Sequence, residues 1–307
     1  MPNIPFSVMS KAPKPLNLLQ YHRPKRLKLT DVRIPPLSSE SKRSLRNLAA
    51  YRAPPLPFPL PRSRSAAVLV ALFVGRRGDL YVLLNRRSAT LRSYAGDTSL
   101  PGGKVEPKDR TIEDTARREA FEEIGLTRNK LKVPLLCVLD PFMASNNLVV
   151  TPVVVLILDN TLRPILNTAE VAELFSHPLA AFFDWTYPGP NGLPRTARAH
   201  RFLTGREAGG IKPVFGLTAA VLIHAASIAH ARAPDFEVAP PDALSGTARI
   251  AWALITNPVF KEAYDAEGID IDWAVVRRVA GIGPEAEAEG PQAQGAPRRT
   301  RRRRSKL

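Results

Sequence analysis

Glu119, Glu122 and Glu123 stand at i, i+3 and i+4 within residues 100–126. On a helix that spacing places all three carboxylates on one face. Like charges so close repel unless something neutralises them, and a hard divalent cation such as Mg²⁺ or Mn²⁺ does this with oxygen ligands. A solvated acidic helix face has the same pattern, so the surroundings decide. Gly102 and Gly103 precede the helix and let the backbone come close to a ligand, which helps a carbonyl reach a metal. A helix N-terminus also attracts phosphate. Arg118 directly before Glu119 adds a cation beside the acids.

The element that must carry these groups is legible. Thr111 and Asp114 form a capping-box-like start, neither Gly nor Pro interrupts residues 112–124, and Gly125 suits the position just past a helix end. Ile112, Ala116, Ala120 and Ile124 make an apolar stripe, which Phe121 is expected to widen.

The stretch resembles the Nudix box, G-x5-E-x7-R-E-U-x-E-E-x-G-U, where U is a bulky apolar residue. Gly103 opens it, and Arg118, Glu119, Glu122, Glu123, Gly125 and Leu126 fill the later places. Asp109 stands where the pattern has its first Glu, eight residues rather than seven separate it from Arg118, and Ala120 is small for U. Upstream, LLNRRSATLRSYAGDTSLPGG is similar to the signature of the coenzyme A diphosphatase branch. Leu83, Leu84, Arg87, Ser88, Arg92, Gly96, Pro101, Gly102 and Gly103 match it in register. Asn85 replaces a Thr and Leu100 a Phe. The run 150–154, the acid Glu170 (with Glu173 as runner-up) ahead of an expected short helix in 167–179, and FGLTA at 215–219 resemble later segments of that branch.

The resemblance implies an α/β fold, a Nudix α/β/α sandwich with a central mixed β-sheet. It implies hydrolysis of coenzyme A, or its acyl or oxidised forms, to 3′,5′-ADP and 4′-phosphopantetheine or its derivative. Glu119, Glu122, Glu123 and the Gly103 carbonyl would hold Mg²⁺ or Mn²⁺. Arg118 would orient a carboxylate of the box, Glu122 or Glu170 would act as general base, and Arg87 and Arg92, with Gly102 and Gly103, would meet the phosphates. The box itself is equally compatible with NADH, ADP-ribose, an oxidised dNTP or an mRNA cap. Rivals outside catalysis are an RNA-binding factor and a coenzyme A-binding sensor.

The net charge of +16 suggests nucleic acid until it is mapped. Residues 1–65 hold 13 Lys/Arg against 2 Asp/Glu, and residues 298–307 hold 7 basic residues and no acid. The two ends therefore exceed the total, and residues 66–297 are left at −2. Bulk charge is weak evidence for a nucleic-acid partner. The single cysteine, Cys137, lies in an apolar run and reads as a buried thiol.

Residues 1–64 read as a basic, Pro-rich, mostly disordered extension with a short helix at 41–51. They contain no apolar run long enough for a membrane span, and their prolines argue against a presequence helix. The hydrolase domain is expected over 65–232. Its strands are placed at 66–74, 80–84, 132–140 and 148–158, with Pro152 marking a bulge or edge. A polar turn at 141–147 is expected to face substrate, and an Ala-rich helix at 218–231. His177 and His200 are expected to be structural. Residues 233–282 read as a helical extension with helices at 247–257, ended by Pro258, and 272–280. Residues 283–307 read as a disordered basic tail. It ends in Ser305, Lys306 and Leu307, a tripeptide read by the peroxisomal import receptor when it is a free C-terminus. The arginines before it offer a competing nuclear address.

Overall fold

The structure is a computed structural model and describes residues 36–158, 163–184, 187–188, 200–204, 212–241 and 243–283. It begins with helix α1 (Ser39–Ala50), strands β1 (Ser65–Val74), β2 (Leu80–Arg87), β3 (Thr98–Ser99) and β4 (Gly102–Lys104), then helix α2 (Ile112–Ile124). Strands β5 (Leu135–Val138), β6 (Phe142–Met143), β7 (Val149–Leu156) and β8 (Val171–Pro178) follow. After α3 (Ala181–Asp184), the short strands β9 (Tyr187–Pro188), β10 (His200–Leu203) and β11 (Pro213–Phe215) form a second small sheet. Helices α4 (Gly216–His230), α5 (Gly246–Thr256), α6 (Pro258–Glu267) and α7 (Trp273–Ala280) complete the described fold.

The main sheet is mixed. Strand β1 runs antiparallel to β2 and parallel to β7, which in turn is antiparallel to β5. The long apolar runs of β1 and β7 follow from burial on both faces. Val70, Leu72 and Val74 pack on the side of α1 and α4. Ala67, Leu69 and Ala71 pack on the side of α2. This is the expected α/β/α sandwich.

One irregularity creates the site. Strands β1 and β2 pair only through Leu72–Val74 and Leu80–Val82, then part. Strand β3 joins β2 at Asn85 and Arg86, while β4 joins β1 at Ala66 to Val68. The glycine loop is thus held in an opening of the sheet, under the face covered by α2.

Several expectations are corrected. Phe121 does not widen the apolar stripe of α2: it is 51% exposed, with the Arg128 guanidinium 5.0 Å from its ring centre. Residues 171–178 form strand β8 along β2, not a short helix. Val171 and Phe175 are the buried positions of that strand. Pro152 lies in β7, between β1 and β5, so it is not on an edge. It sits where β5 has ended at Val138 and β6 has not begun at Phe142, a gap in the ladder that tolerates a missing N–H. The helix expected at 247–257 is α5, which does stop before Pro258, but Pro258 also starts a helix that was not expected, α6, with Asn257 as the cap.

The helix expected in the N-terminal extension packs into the domain core. Leu45 and Leu48 of α1 are 1% and 0% exposed and join the α4 face, where Asn47 donates to the Ala229 carbonyl at 2.8 Å. Tyr51 and His224 both bond Asp140, tying α1 and α4 to the end of β5. Helices α5 to α7 share a core with Phe58 and Val149. The Glu267 carboxylate accepts from the backbone N–H groups of Arg62 and Ser63 at 2.7 and 2.8 Å, which fastens the Pro-rich segment before β1. Among the described residues, no helix is long and apolar enough to cross a membrane.

Candidate active site

Helix α2 forms as its capping chemistry dictates. The Thr111 hydroxyl accepts from the Asp114 N–H at 3.1 Å, and the Asp114 carboxylate accepts from the Thr111 N–H at 3.0 Å. Gly125 closes it with a φ of 67°. The buried stripe Ile112, Ala116, Ala120 and Ile124 fixes the helix against the sheet, so the next face is aimed at β4 and the end of β2.

Arg118 is the hub of that face. Its side chain is 2% exposed, and all five of its N–H groups are used. Nε and Nη2 form a fork on Asp109, at 3.1 and 2.9 Å. Nη2 also donates to the Lys104 carbonyl at 2.8 Å, and Nη1 donates to Glu119 Oε1 at 2.8 Å and Glu122 Oε2 at 3.1 Å. Asp109 further accepts from the Thr115 hydroxyl and the Glu106 N–H, both at 2.9 Å. Burial alone would raise the Asp109 pKa, but these bonds, led by Arg118, hold it below the usual carboxylate value. The Arg118 pKa is raised in turn, chiefly by its bond to Asp109. Asp109 thereby anchors Arg118, although it is one carbon shorter than the Glu of the pattern and one residue further from the arginine.

The other carboxylates are less settled. Glu123 is 4% exposed, and its pKa is pushed up to about 8, mainly by burial and then by the charge of Glu119. Arg87 and the Gly102 N–H oppose that shift, while Glu170 adds to it. Glu119 is also shifted upward, first by burial. Asn85 Nδ2 donates to Glu123 Oε2 at 3.0 Å, and Asn85 is itself held by the Ser99 hydroxyl at 2.5 Å. Gly103 runs against Glu119 so closely that a Cβ there would lie 2.4 Å from Oε1. A side chain on Gly102 would lie 2.3 Å from the Ala67 carbonyl oxygen. The backbone contact makes Gly102 require glycine, whereas a side chain at Gly103 would displace the Glu119 carboxylate.

These contacts bear on a metal. Among the described residues, no three His, Cys, Asp or Glu side chains converge as a ready cage. Burial raises the pKa values of both Glu119 and Glu123, and a bound cation would favour their charged forms. Mg²⁺ needs only one or two carboxylates because it keeps several waters. The donor set of Glu119, Glu123 and a neighbouring backbone carbonyl fits such an ion.

The remaining candidate residues divide. Arg87, at the end of β2, lines a cavity of about 470 Å³ together with Gly102, Gly103 and Lys104, and its Nε is buried with no hydrogen-bond partner. The turn 141–147 contributes Ala144, Ser145 and Asn146 to the same cavity. Glu170 is exposed in the turn before β8, where its carbonyl accepts from the Ser88 N–H at 2.8 Å. Glu173 is paired with the buried Lys212 at 2.7 Å instead. Arg92 is exposed in the loop 88–97 and does not line the cavity. Ser305, Lys306 and Leu307 lie outside the described residues. Sequence reasoning missed the part played by Asn85; its only signal was a polar residue at a buried strand position.

The model of the NUDIX domain matches residues 63–200. An Uncharacterized Nudix hydrolase NudL of Pectobacterium atrosepticum is 41% identical over 171 residues, which are 55% of this chain and 84% of that protein. The chain belongs to the Nudix family. Nudix hydrolase 22, chloroplastic, of Arabidopsis thaliana is 38% identical over 186 residues, 57% of this chain and 58% of the relative. The chain thus spans under two thirds of that relative's length. Peroxisomal coenzyme A diphosphatase 1 of Saccharomyces cerevisiae is 48% identical over a shorter stretch of 90 residues, 28% of this chain and 26% of its own.

Proposed function

We propose that the chain hydrolyses the diphosphate of coenzyme A, or of its acyl or oxidised forms, to 3′,5′-ADP and 4′-phosphopantetheine or its derivative. The observation that carries this reading is the joint placement of the two motifs. Arg87, from the segment that resembles the coenzyme A diphosphatase signature, lines the same cavity as Gly103 of the acidic box. The partial likeness to the yeast coenzyme A diphosphatase supports it.

A divalent ion, Mg²⁺ or Mn²⁺, supplies acidified water and offsets phosphate charge when bound. Glu119, Glu123 and the Gly103 carbonyl would hold it, with Glu122 at the open edge of the set. Arg118 fixes the direction of Glu119 and Glu122 by donating to both. Arg87 receives a phosphate oxygen on its unpartnered Nε. Among the described residues no cation pairs with Glu170, whereas Glu122 is tied to Arg118 and lies 3.7 Å from Arg128. Glu170 is therefore assigned the proton of the attacking water. As a free C-terminus, Ser305-Lys306-Leu307 would be read by the peroxisomal import receptor.

The test is hydrolysis of a panel by the full chain with Mg²⁺ or Mn²⁺, with products resolved by mass. The panel holds coenzyme A, acetyl-coenzyme A, coenzyme A disulfide, NADH, ADP-ribose, 8-oxo-dGTP and capped RNA. Dominant turnover of the coenzyme A species supports the proposal. Dominant turnover of NADH, ADP-ribose, 8-oxo-dGTP or capped RNA would overturn the substrate while leaving the diphosphate chemistry.

A further inference from the structure

The cavity beside the acidic helix carries two aromatic side chains that the account above does not use. Tyr94, in the loop 88–97, is 52% exposed, and Phe215, at the junction of β11 and α4, is 40% exposed. Both line the cavity. Neither ring stacks on the other or on any further aromatic ring among the described residues. Large apolar rings left wet on the walls of one cavity mark a place for a ligand.

Their placement is held. Tyr94 has a φ of 55°, a left-handed conformation costly for a bulky residue. Its hydroxyl lies 2.9 Å from Ser145 Oγ, which fastens the ring across to the loop between β6 and β7. Phe215 is paired with Arg201 in the small sheet, and Thr218, one turn further, donates to the Thr98 carbonyl at 3.3 Å. The two rings thus stand on separate supports that both reach the cavity wall. Asp97 and Asn146 add hydrogen-bonding groups to the lining.

We propose that Tyr94 and Phe215 form a nucleobase subsite, taking the adenine of the substrate by stacking while the diphosphate lies toward Arg87 and Gly103. The assignment rests on the diphosphatase reading for adenine as the base. The shared chemistry is a flat heteroaromatic ring, and stacking on an aromatic side chain is tolerant of base identity.

Calorimetric titration of the full chain with adenosine 3′,5′-bisphosphate, and separately with inorganic pyrophosphate, tests the subsite without turnover. Y94A and F215A are each expected to weaken the nucleotide roughly 5- to 150-fold and to leave pyrophosphate within about twofold. Y94F, which keeps the ring and loses the bond to Ser145, is expected to bind the nucleotide nearly as the parent does. Unchanged nucleotide binding in Y94A and F215A would overturn the subsite. So would equal losses for pyrophosphate, which mean a collapsed loop, or a Y94F as weak as Y94A. Failure of the parent chain to bind the nucleotide would also overturn it. If the parent and Y94A differ as stated but coenzyme A is not hydrolysed, the subsite stands and the diphosphatase proposal falls. If coenzyme A is hydrolysed with kcat/KM unchanged in Y94A and F215A, the reverse holds.

Discussion

Replacing Arg118 by Ala removes five hydrogen bonds from a side chain that is 2% exposed. The largest consequence falls on Asp109, which is 3% exposed and would keep only the Thr115 hydroxyl and the Glu106 N–H as donors. Breaking a buried pair by deleting one partner costs about 3–5 kcal/mol, because the other charge stays buried. For a domain of this size that is a fall in Tm of roughly 6–20 °C. Arg118→Lys is expected to recover only part of it, since an ammonium cannot make the planar fork on Asp109. In the double variant Arg118→Met with Asp109→Asn the buried charge is gone from both sides. The double variant should therefore lose less than the sum of the two singles, by at least about 1 kcal/mol. Differential scanning calorimetry of the parent, Arg118→Met, Asp109→Asn and the double variant, with Arg118→Ala alongside, in the same buffer and without metal, measures the cycle and the single loss. Additive losses, or an Arg118→Ala variant within about 1 kcal/mol of the parent, would refute the hub assignment.

Other expectations follow from the same geometry. Glu123 titrates near 8 in the folded protein, above its ordinary 4.5, so between those values the folded state keeps a proton that the unfolded chain releases. Its contribution to stability is full below about pH 4.5 and is lost as pH rises through 8. The difference in metal-free Tm between parent and E123Q should shift against the parent from pH 5 to 8, and Mg²⁺ should reverse it; a flat difference would remove the proton from Glu123. Comparison with E123Q also cancels His177, whose pKa is lowered by burial and whose effect runs the opposite way near neutrality. Leu48→Ala should cost about 2–5 kcal/mol in chemical denaturation, because Leu48 is 0% exposed in the core shared with α4; a loss under about 0.5 kcal/mol would detach α1 from the domain. R87A should lower kcat/KM for coenzyme A by roughly 10- to 150-fold, the worth of a charge-assisted bond, whereas R92A should change it by less than about threefold. The opposite order would place the phosphates on the loop 88–97.

What could be read before the fold was known was local chemistry. Thr111, Asp114 and Gly125 bracket α2 through bonds made within a few residues, so the helix bounds were recoverable from spacing alone. The runs of β1 and β7 were long and β-branched enough to mark strands buried on both faces. The errors arose where distant contacts decide. In 171–178 the apolar residues do not alternate with polar ones, so nothing local marked a strand that is completed only by pairing with β2. Phe121 lies beside the apolar stripe on a helical wheel, yet the core beneath α2 covers Ile112, Ala116, Ala120 and Ile124 and leaves Phe121 outside. The stop of α5 before Pro258 was legible, whereas α6, which starts at Pro258 with Asn257 as its cap, was missed. At the site, the carboxylates were visible as a pattern. Their orientation was not, because Arg118 is held by Asp109 nine residues away and Glu123 by Asn85 on another element.

The most direct measurement is the release of 3′,5′-ADP from coenzyme A by the purified full chain, with Mg²⁺ and with EDTA, in the parent, E119Q and E123Q side by side. The account predicts product from the parent with Mg²⁺ alone, and a loss of at least about 100-fold in both variants. Product that survives EDTA, or full activity in E119Q and E123Q, would contradict the assignment of the metal and of the helix that carries it.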